Sequence, residues 1–286
     1  MIYIYIMVVV LLGLLLIYFI SINSNDNKTN LLEDVPSIYV NKEGLEKHAL
    51  QISSYYSDTK NTNFRRRLMK SLDNSYKSIL KGYQYIDNVV KNKKEVVPAG
   101  EWLLDNLYLI EKEYKDIKHN MPESYYKNLP VIDRGVMKGY PRIYHIAVEI
   151  ISHTDGELDE NVVEVFVKSY QKNSILTSGE LWALPIMLRI ALIQNISKIV
   201  DKVIFAQLEK NRGDVIADRI INAFAEKKLD DECRKLNKET MVFSSHFVER
   251  LIKILRDNGI DNGEVYRWID EKLEVSQTNT EKLINI

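Results

Sequence analysis

Residues 177–196, Thr-Ser-Gly-Glu-Leu-Trp-Ala-Leu-Pro-Ile-Met-Leu-Arg-Ile-Ala-Leu-Ile-Gln-Asn-Ile, constrain this chain more than any other stretch. The run is apolar nearly all round, the pattern of a helix buried in a core rather than laid on a surface. Thr177 and Glu180 form a T-x-x-E capping box, in which each side chain satisfies the other residue's backbone N–H. Pro185 removes the donor that the Leu181 carbonyl would use, so a bend is expected there. Arg189 is the one charge between Leu181 and Ile196, and a guanidinium in such a setting needs carboxylates or carbonyls from other elements. The run could also be read as a membrane span. It is short for that, and a central arginine costs about 2.5–3.5 kcal/mol on insertion scales. A buried soluble helix is the better reading.

The rest of the chain is expected to supply helices around it. Six prolines and eleven glycines in 286 residues are few, and no stretch alternates strongly enough to propose a sheet. The fold class is therefore all-α, with an N-terminal transmembrane helix ahead of a multi-helix soluble domain. Residues 1–21 carry no charged side chain and are long enough for one bilayer crossing, with Tyr3, Tyr5 and Tyr18 near its ends. A cleaved signal peptide is the alternative, but no basic start and no small-residue cleavage site precede the polar stretch. Residues 22–43 read as a polar linker, 44–275 as the helical domain and 276–286 as a polar tail. Within the domain, two helices are expected between Leu45 and Lys91, broken near Asp58–Asn63. Others are expected after Pro98, at Pro141, behind an Asp159 N-cap, over 177–210, and at 212–228, 243–257 and 262–274. After Pro98, the residues Trp102, Leu103, Leu107, Ile110 and Tyr114 form the expected buried side.

Four segments, in order, resemble the N-terminal region of the cyclic β-1,2-glucan synthetases. They are Pro98-Ala-Gly-Glu-Trp-Leu-Leu-Asp-Asn-Leu-Tyr-Leu-Ile110, Gly139-Tyr-Pro-Arg-Ile-Tyr144, His153-Thr-Asp-Gly156 and Gly179-Glu-Leu-Trp-Ala-Leu-Pro-Ile-Met-Leu-Arg189. The resemblance covers roughly residues 44–275. It implies large membrane enzymes with a glycosyltransferase part and a phosphorylase-like part. These use UDP-glucose at the cytoplasmic face, extend β-1,2-linked glucan, trim it by phosphorolysis and close it into a ring. The matching region lies ahead of those catalytic parts, so the expectation is a partial synthetase whose residues 44–275 are a cytoplasmic scaffold.

No residue is expected to be catalytic, and no cofactor or metal is expected. G-x-G-x-x-G, P-loop and G-x-S-x-G motifs are absent from the sequence. Glu101 and Asp105, four apart on one helix face, are the best carboxylate pair for acid–base work; the alternative is that they hold helix N-terminal donors, Arg142 and Arg189. Together with Glu180 these residues form the expected structural network. Trp102, Tyr140, Tyr144 and Trp182 are candidates for stacking on a sugar, although aromatics at helical spacing more often serve a core. His153-Thr-Asp-Gly156 reads as a turn. His48, His119, His145, His153 and His246 show no H-x-x-x-H or H-x-x-E-H spacing, and the single Cys233 makes no thiolate site. Glu264-Val-Tyr-Arg-Trp268 superficially resembles the Q-x-x-R-W element of processive glycosyltransferases, but its apolar residues have helical spacing. A net charge of −1 gives no case for nucleic acid. The basic Phe64-Arg-Arg-Arg-Leu-Met-Lys70 reads as a solvated face, with contact to anionic lipid as the alternative. The expected partners are the membrane and the catalytic domains of a synthetase. The competing functions are an independent membrane-tethered interaction module and a small enzyme built on Glu101 and Asp105.

Overall fold

The computed structural model describes residues 41–54, 58–59, 64–121, 126, 128–133, 137–154, 158–239, 243–260 and 263–275. The expected anchor at 1–21, most of the linker, the tail at 276–286, and Asp155 and Gly156 lie outside the described residues. The described chain is all-α. Its helices are α1 (Lys42–Ser53), α2 (Phe64–Lys91), α3 (Pro98–Asn120), α4 (Arg142–His153), α5 (Glu160–Gln171), α6 (Ser178–Ala225), α7 (Leu229–Lys238), α8 (Ser245–Asp257) and α9 (Gly263–Val275). Two-residue strands β1 (Asp58–Thr59) and β2 (Val131–Ile132) pair antiparallel, a contact the sequence pattern did not announce.

The chain between 44 and 275 comprises two compact units. The first takes its described residues from the stretches up to Leu80 and over Leu107–Lys198; the second takes Lys81–Asn106 and the residues from Ile199 onward. In the first unit α1 packs on α5, and α5 also touches α4. Asn41 caps α1 by accepting from the Gly44 N–H at 2.9 Å, so the helix begins at Lys42, inside the expected linker. Asp159 caps α5, its carboxylate accepting from the Val162 N–H at 2.6 Å, as the sequence predicts. Leu45, Ala49 and Ile52 of α1 and Phe166, Val167 and Tyr170 of α5 are buried.

The second unit closes on one apolar cluster from the end of α6, α7, α8 and α9, including Ile220, Leu236, Phe247, Leu251, Trp268 and Leu273. Val265, Trp268, Ile269 and Leu273 line the inner face of α9, so Glu264–Trp268 is a stretch of core helix. Glycine permits two close approaches here. A Cβ on Gly82 of α2 would lie 2.2 Å from Val200 Cγ1, and one on Gly213 would lie 3.0 Å from Arg250 Cγ.

α6 departs from expectation in two ways. It runs for 48 residues with Pro185 inside it, past the expected stop near 210. Its first half is also not buried all round: Ala183, Met187, Ile190 and Gln194 face inward, while Trp182 is 80% exposed and Leu181 and Pro185 are also exposed. Apolar residues outside a core are ordinary, because there is too little polar surface to cover a protein. Among the described residues α6 alone is long and apolar enough to cross a membrane; 56% of that window is buried inside the protein, which a soluble core helix also shows.

Candidate functional site

Every residue of α4 from Arg142 to His153 is buried. Its polar side chains must therefore find partners inside the protein. Two clusters result.

The first forms around Arg142. Its Nε donates to Glu180 Oε1 at 2.9 Å and one terminal nitrogen donates to Glu180 Oε2 at 2.8 Å, a two-pronged ion pair. The guanidinium also donates to Ser174 Oγ at 2.9 Å and to the Ile175 carbonyl at 3.2 Å. Glu180 is fully buried, and its Oε2 accepts from the Thr177 N–H at 2.8 Å while the Glu180 N–H donates to Thr177 Oγ1 at 3.3 Å. The capping box is formed as expected, and its carboxylate doubles as the counter-ion of Arg142. Beside it, Tyr144 donates to Gln194 Oε1 at 2.6 Å, and Gln194 Nε2 donates to Ser71 Oγ at 3.0 Å. Burial pushes the Tyr144 phenol well above its usual range.

The second cluster surrounds Glu149. His145, Glu149 and His153 are four apart, so they stack along one face of α4. His145 Nε2 donates to Glu149 Oε1 at 2.8 Å. His48 Nε2, from α1, donates to Oε2 at 2.7 Å, and His153 Nε2 lies 3.2 Å from the same oxygen. An ionised carboxylate only accepts, so each of these contacts requires the proton on Nε2. Burial raises the Glu149 carboxyl, but hydrogen bonds from His145, His153 and His48 outweigh it and hold the group well below the usual carboxylate range. The His48 and His153 rings meet edge to face at 4.1 Å, and Phe166 lies 6.3 Å from His48. The ligand atoms of His48, Glu149 and His153 lie within 4.8 Å of one another, close enough to hold a metal ion. This cluster was missed from sequence. The signal available was H-x-x-x-E-x-x-x-H over 145–153, which a search for H-x-x-x-H and H-x-x-E-H passes over because an acid sits in the middle. His48, 101 residues away from Glu149, carried no signal.

The other expected site residues are not drawn together. Arg142 and Glu180 meet, but Glu101 and Asp105 are exposed on α3 in the second unit. Glu101 sits in the first turn of α3, where its charge complements the helix dipole. Arg189 is half-exposed and donates to Glu113 Oε2 at 3.1 Å, so it is a surface pair rather than a buried charge awaiting Glu101 or Asp105. Tyr140 and Tyr144 are buried with ring centroids 5.6 Å apart, whereas Trp102 and Trp182 are exposed. Trp102 thus leaves the expected inner face of α3, where Leu103 and Ile110 remain. The four aromatics do not share one platform. Arg66, Arg67 and Lys70 form a solvated face of α2 anchored by buried Leu68, with Arg67 over the Tyr140 ring at 5.5 Å.

Fold and site together define an all-α protein in which one fully buried helix, α4, carries a buried ion pair and a carboxylate–histidine cluster. No family model matches the chain. Over 213 residues, 73% of its length, it is 30% identical to the cyclic β-(1,2)-glucan synthase NdvB of Rhizobium meliloti strain 1021, and it is related to that family. The match spans 7% of the length of that synthase.

Proposed function

We propose that the chain is a membrane-anchored scaffold portion of a cyclic β-1,2-glucan synthase-like glycosyltransferase, whose parent makes cyclic β-1,2-glucan from UDP-glucose. The anchor is residues 1–21, and residues 44–275 face the cytoplasm. The observation that carries this reading is the 213-residue relationship to a glucan synthase. Geometry supports a structural role for the matched region. Two of the resembling segments, Gly139–Tyr144 and Gly179–Arg189, supply the two halves of the buried Arg142–Glu180 pair. Glu101 and Asp105, the carboxylates best spaced for catalysis, stand in solvent.

Membranes containing only this chain are expected to incorporate no labelled glucose from UDP-glucose, and an antibody against residues 44–275 is expected to detect a native product several times larger than 33.4 kDa. Glucose incorporation by the chain alone would overturn the scaffold reading. A second reading, an independent membrane-tethered interaction module, is favoured by the exposure of Ile175 and Trp182 in the first unit. It predicts a native band near 33.4 kDa that co-purifies with a separate glucan-forming chain.

A further inference from the structure

We propose that His48, Glu149 and His153 form a binding site for one divalent transition-metal ion of the zinc class, with His145 as the residue that fixes the carboxylate. The two oxygens of Glu149 are used differently. His145 engages Oε1, while His48 and His153 both point Nε2 at Oε2. The carboxylate is thus held from one side, and its other oxygen converges with two imidazole nitrogens within 4.8 Å. Two imidazoles and a carboxylate are the donor set that suits zinc and its neighbours; calcium and magnesium need more oxygen donors than this cluster offers.

Zinc–nitrogen bonds of about 2.0–2.1 Å separate neighbouring ligand atoms in a tetrahedral site by about 3.3 Å. Present separations of 2.7 and 3.2 Å from Glu149 Oε2 lie within about 0.6 Å of that value. Each imidazole presents a lone pair at Nε2 once its proton sits on Nδ1. Glu149 and His153 come from one rigid turn of α4, which presets two of the three ligands, and α1 supplies the third. The side chain of His48 is 24% exposed while that of Glu149 is 8% exposed, so His48 marks the solvent side, where the ion enters and a water completes its shell. His145 acts on the metal only through Glu149, as a positioning residue, in the way outer hydrogen bonds orient a ligand.

The test uses the full chain in detergent, stripped with a chelator and titrated with Zn²⁺ against a chromophoric competitor. One Zn²⁺ per chain is expected, with a thermal midpoint that rises with free Zn²⁺. X-ray absorption of the loaded protein should show two imidazole ligands and no sulfur. His48→Ala, at the partly exposed ligand, should weaken binding by at least about tenfold, whereas His119→Ala, on the exposed last turn of α3, should leave it unchanged. No stoichiometric uptake by the wild-type chain, or a loaded spectrum without imidazole, would overturn the proposal even if His48→Ala failed to fold. Equal affinity in a folded His48→Ala variant would overturn it too. None of these results touches the scaffold reading, which stands on glucose transfer and native size.

Discussion

At the scale of the residue, Glu180 holds more of the structure than its place in a capping box suggests. Its carboxylate accepts from the Thr177 N–H and from two nitrogens of Arg142, all inside the core. Removing one partner of such a pair strands a buried charge, at a cost of about 3–5 kcal/mol. Glu180→Ala is expected to lose that much stability in urea unfolding followed by circular dichroism. Arg142→Met combined with Glu180→Leu should recover most of it, because an apolar replacement of similar volume leaves no charge unpaired. Glu101→Gln and Asp105→Asn should stay within about 0.5 kcal/mol of wild type, as exposed changes do. A loss below 1 kcal/mol for Glu180→Ala would mean that water reaches Arg142. The cap was legible from Thr177 and Glu180 alone, because its two partners are three residues apart. The ion pair was not, because Arg142 and Glu180 are 38 residues apart and nothing local couples them. Glu101 and Asp105 were chosen by spacing, which fixes that two side chains share a helix face but not whether that face is covered.

At the scale of the element, close approach decides where α6 can run. Asn211-Arg212-Gly213 reads as a stop, yet the helix continues, because each residue there is tied to a neighbour. Asn211 donates to the Tyr85 hydroxyl at 3.1 Å, Asp214 accepts from Arg250 Nε at 2.6 Å, and Gly213 lets α8 come near. Tertiary contact overrides a helix-breaking propensity of about 1 kcal/mol. α7 was missed for a related reason. It has ten residues with only Leu229 and Leu236 buried, too little periodicity to distinguish from a polar connection. Asp230, Asp231 and Glu232 in its first turn and Lys235 and Lys238 in its last complement the helix dipole. Gly82 gives the sharpest test at this scale. Alanine is the better helix former by about 1 kcal/mol, but its Cβ would sit 2.2 Å from Val200 Cγ1. Gly82→Ala is therefore expected to destabilise by about 1–3 kcal/mol, the range for overpacking. A Tm at or above wild type would show that α2 and α6 separate freely at that point.

At the scale of the whole molecule, the all-α class was legible because sparse proline and glycine and long apolar periods bear on every segment at once. The division into two units was not, because α2, α3 and α6 each contribute residues to both and their patterns show no seam. The second unit adds a charge network to its apolar cluster: Glu95 accepts from Lys210 at 2.8 Å and from Arg250 at 2.6 Å. Hydrogen bonds from Lys210 and Arg250 lower the Glu95 carboxyl from 4.5 to about 2. A carboxyl whose folded value is depressed adds stability above its unfolded value, and that stability disappears as pH falls towards the folded one. The window is thus pH 4.5 down to about 2. Because the Glu95 side chain is 51% exposed, solvent screening makes its share modest. Hydrogen exchange read peptide by peptide should show protection of α8 falling across that window in the wild type. The fall should be shallower in Glu95→Gln, which has no charge to lose. Identical profiles in the two proteins would assign the acid sensitivity of this unit to other carboxylates, with Asp214, the second partner of Arg250, as the next to change.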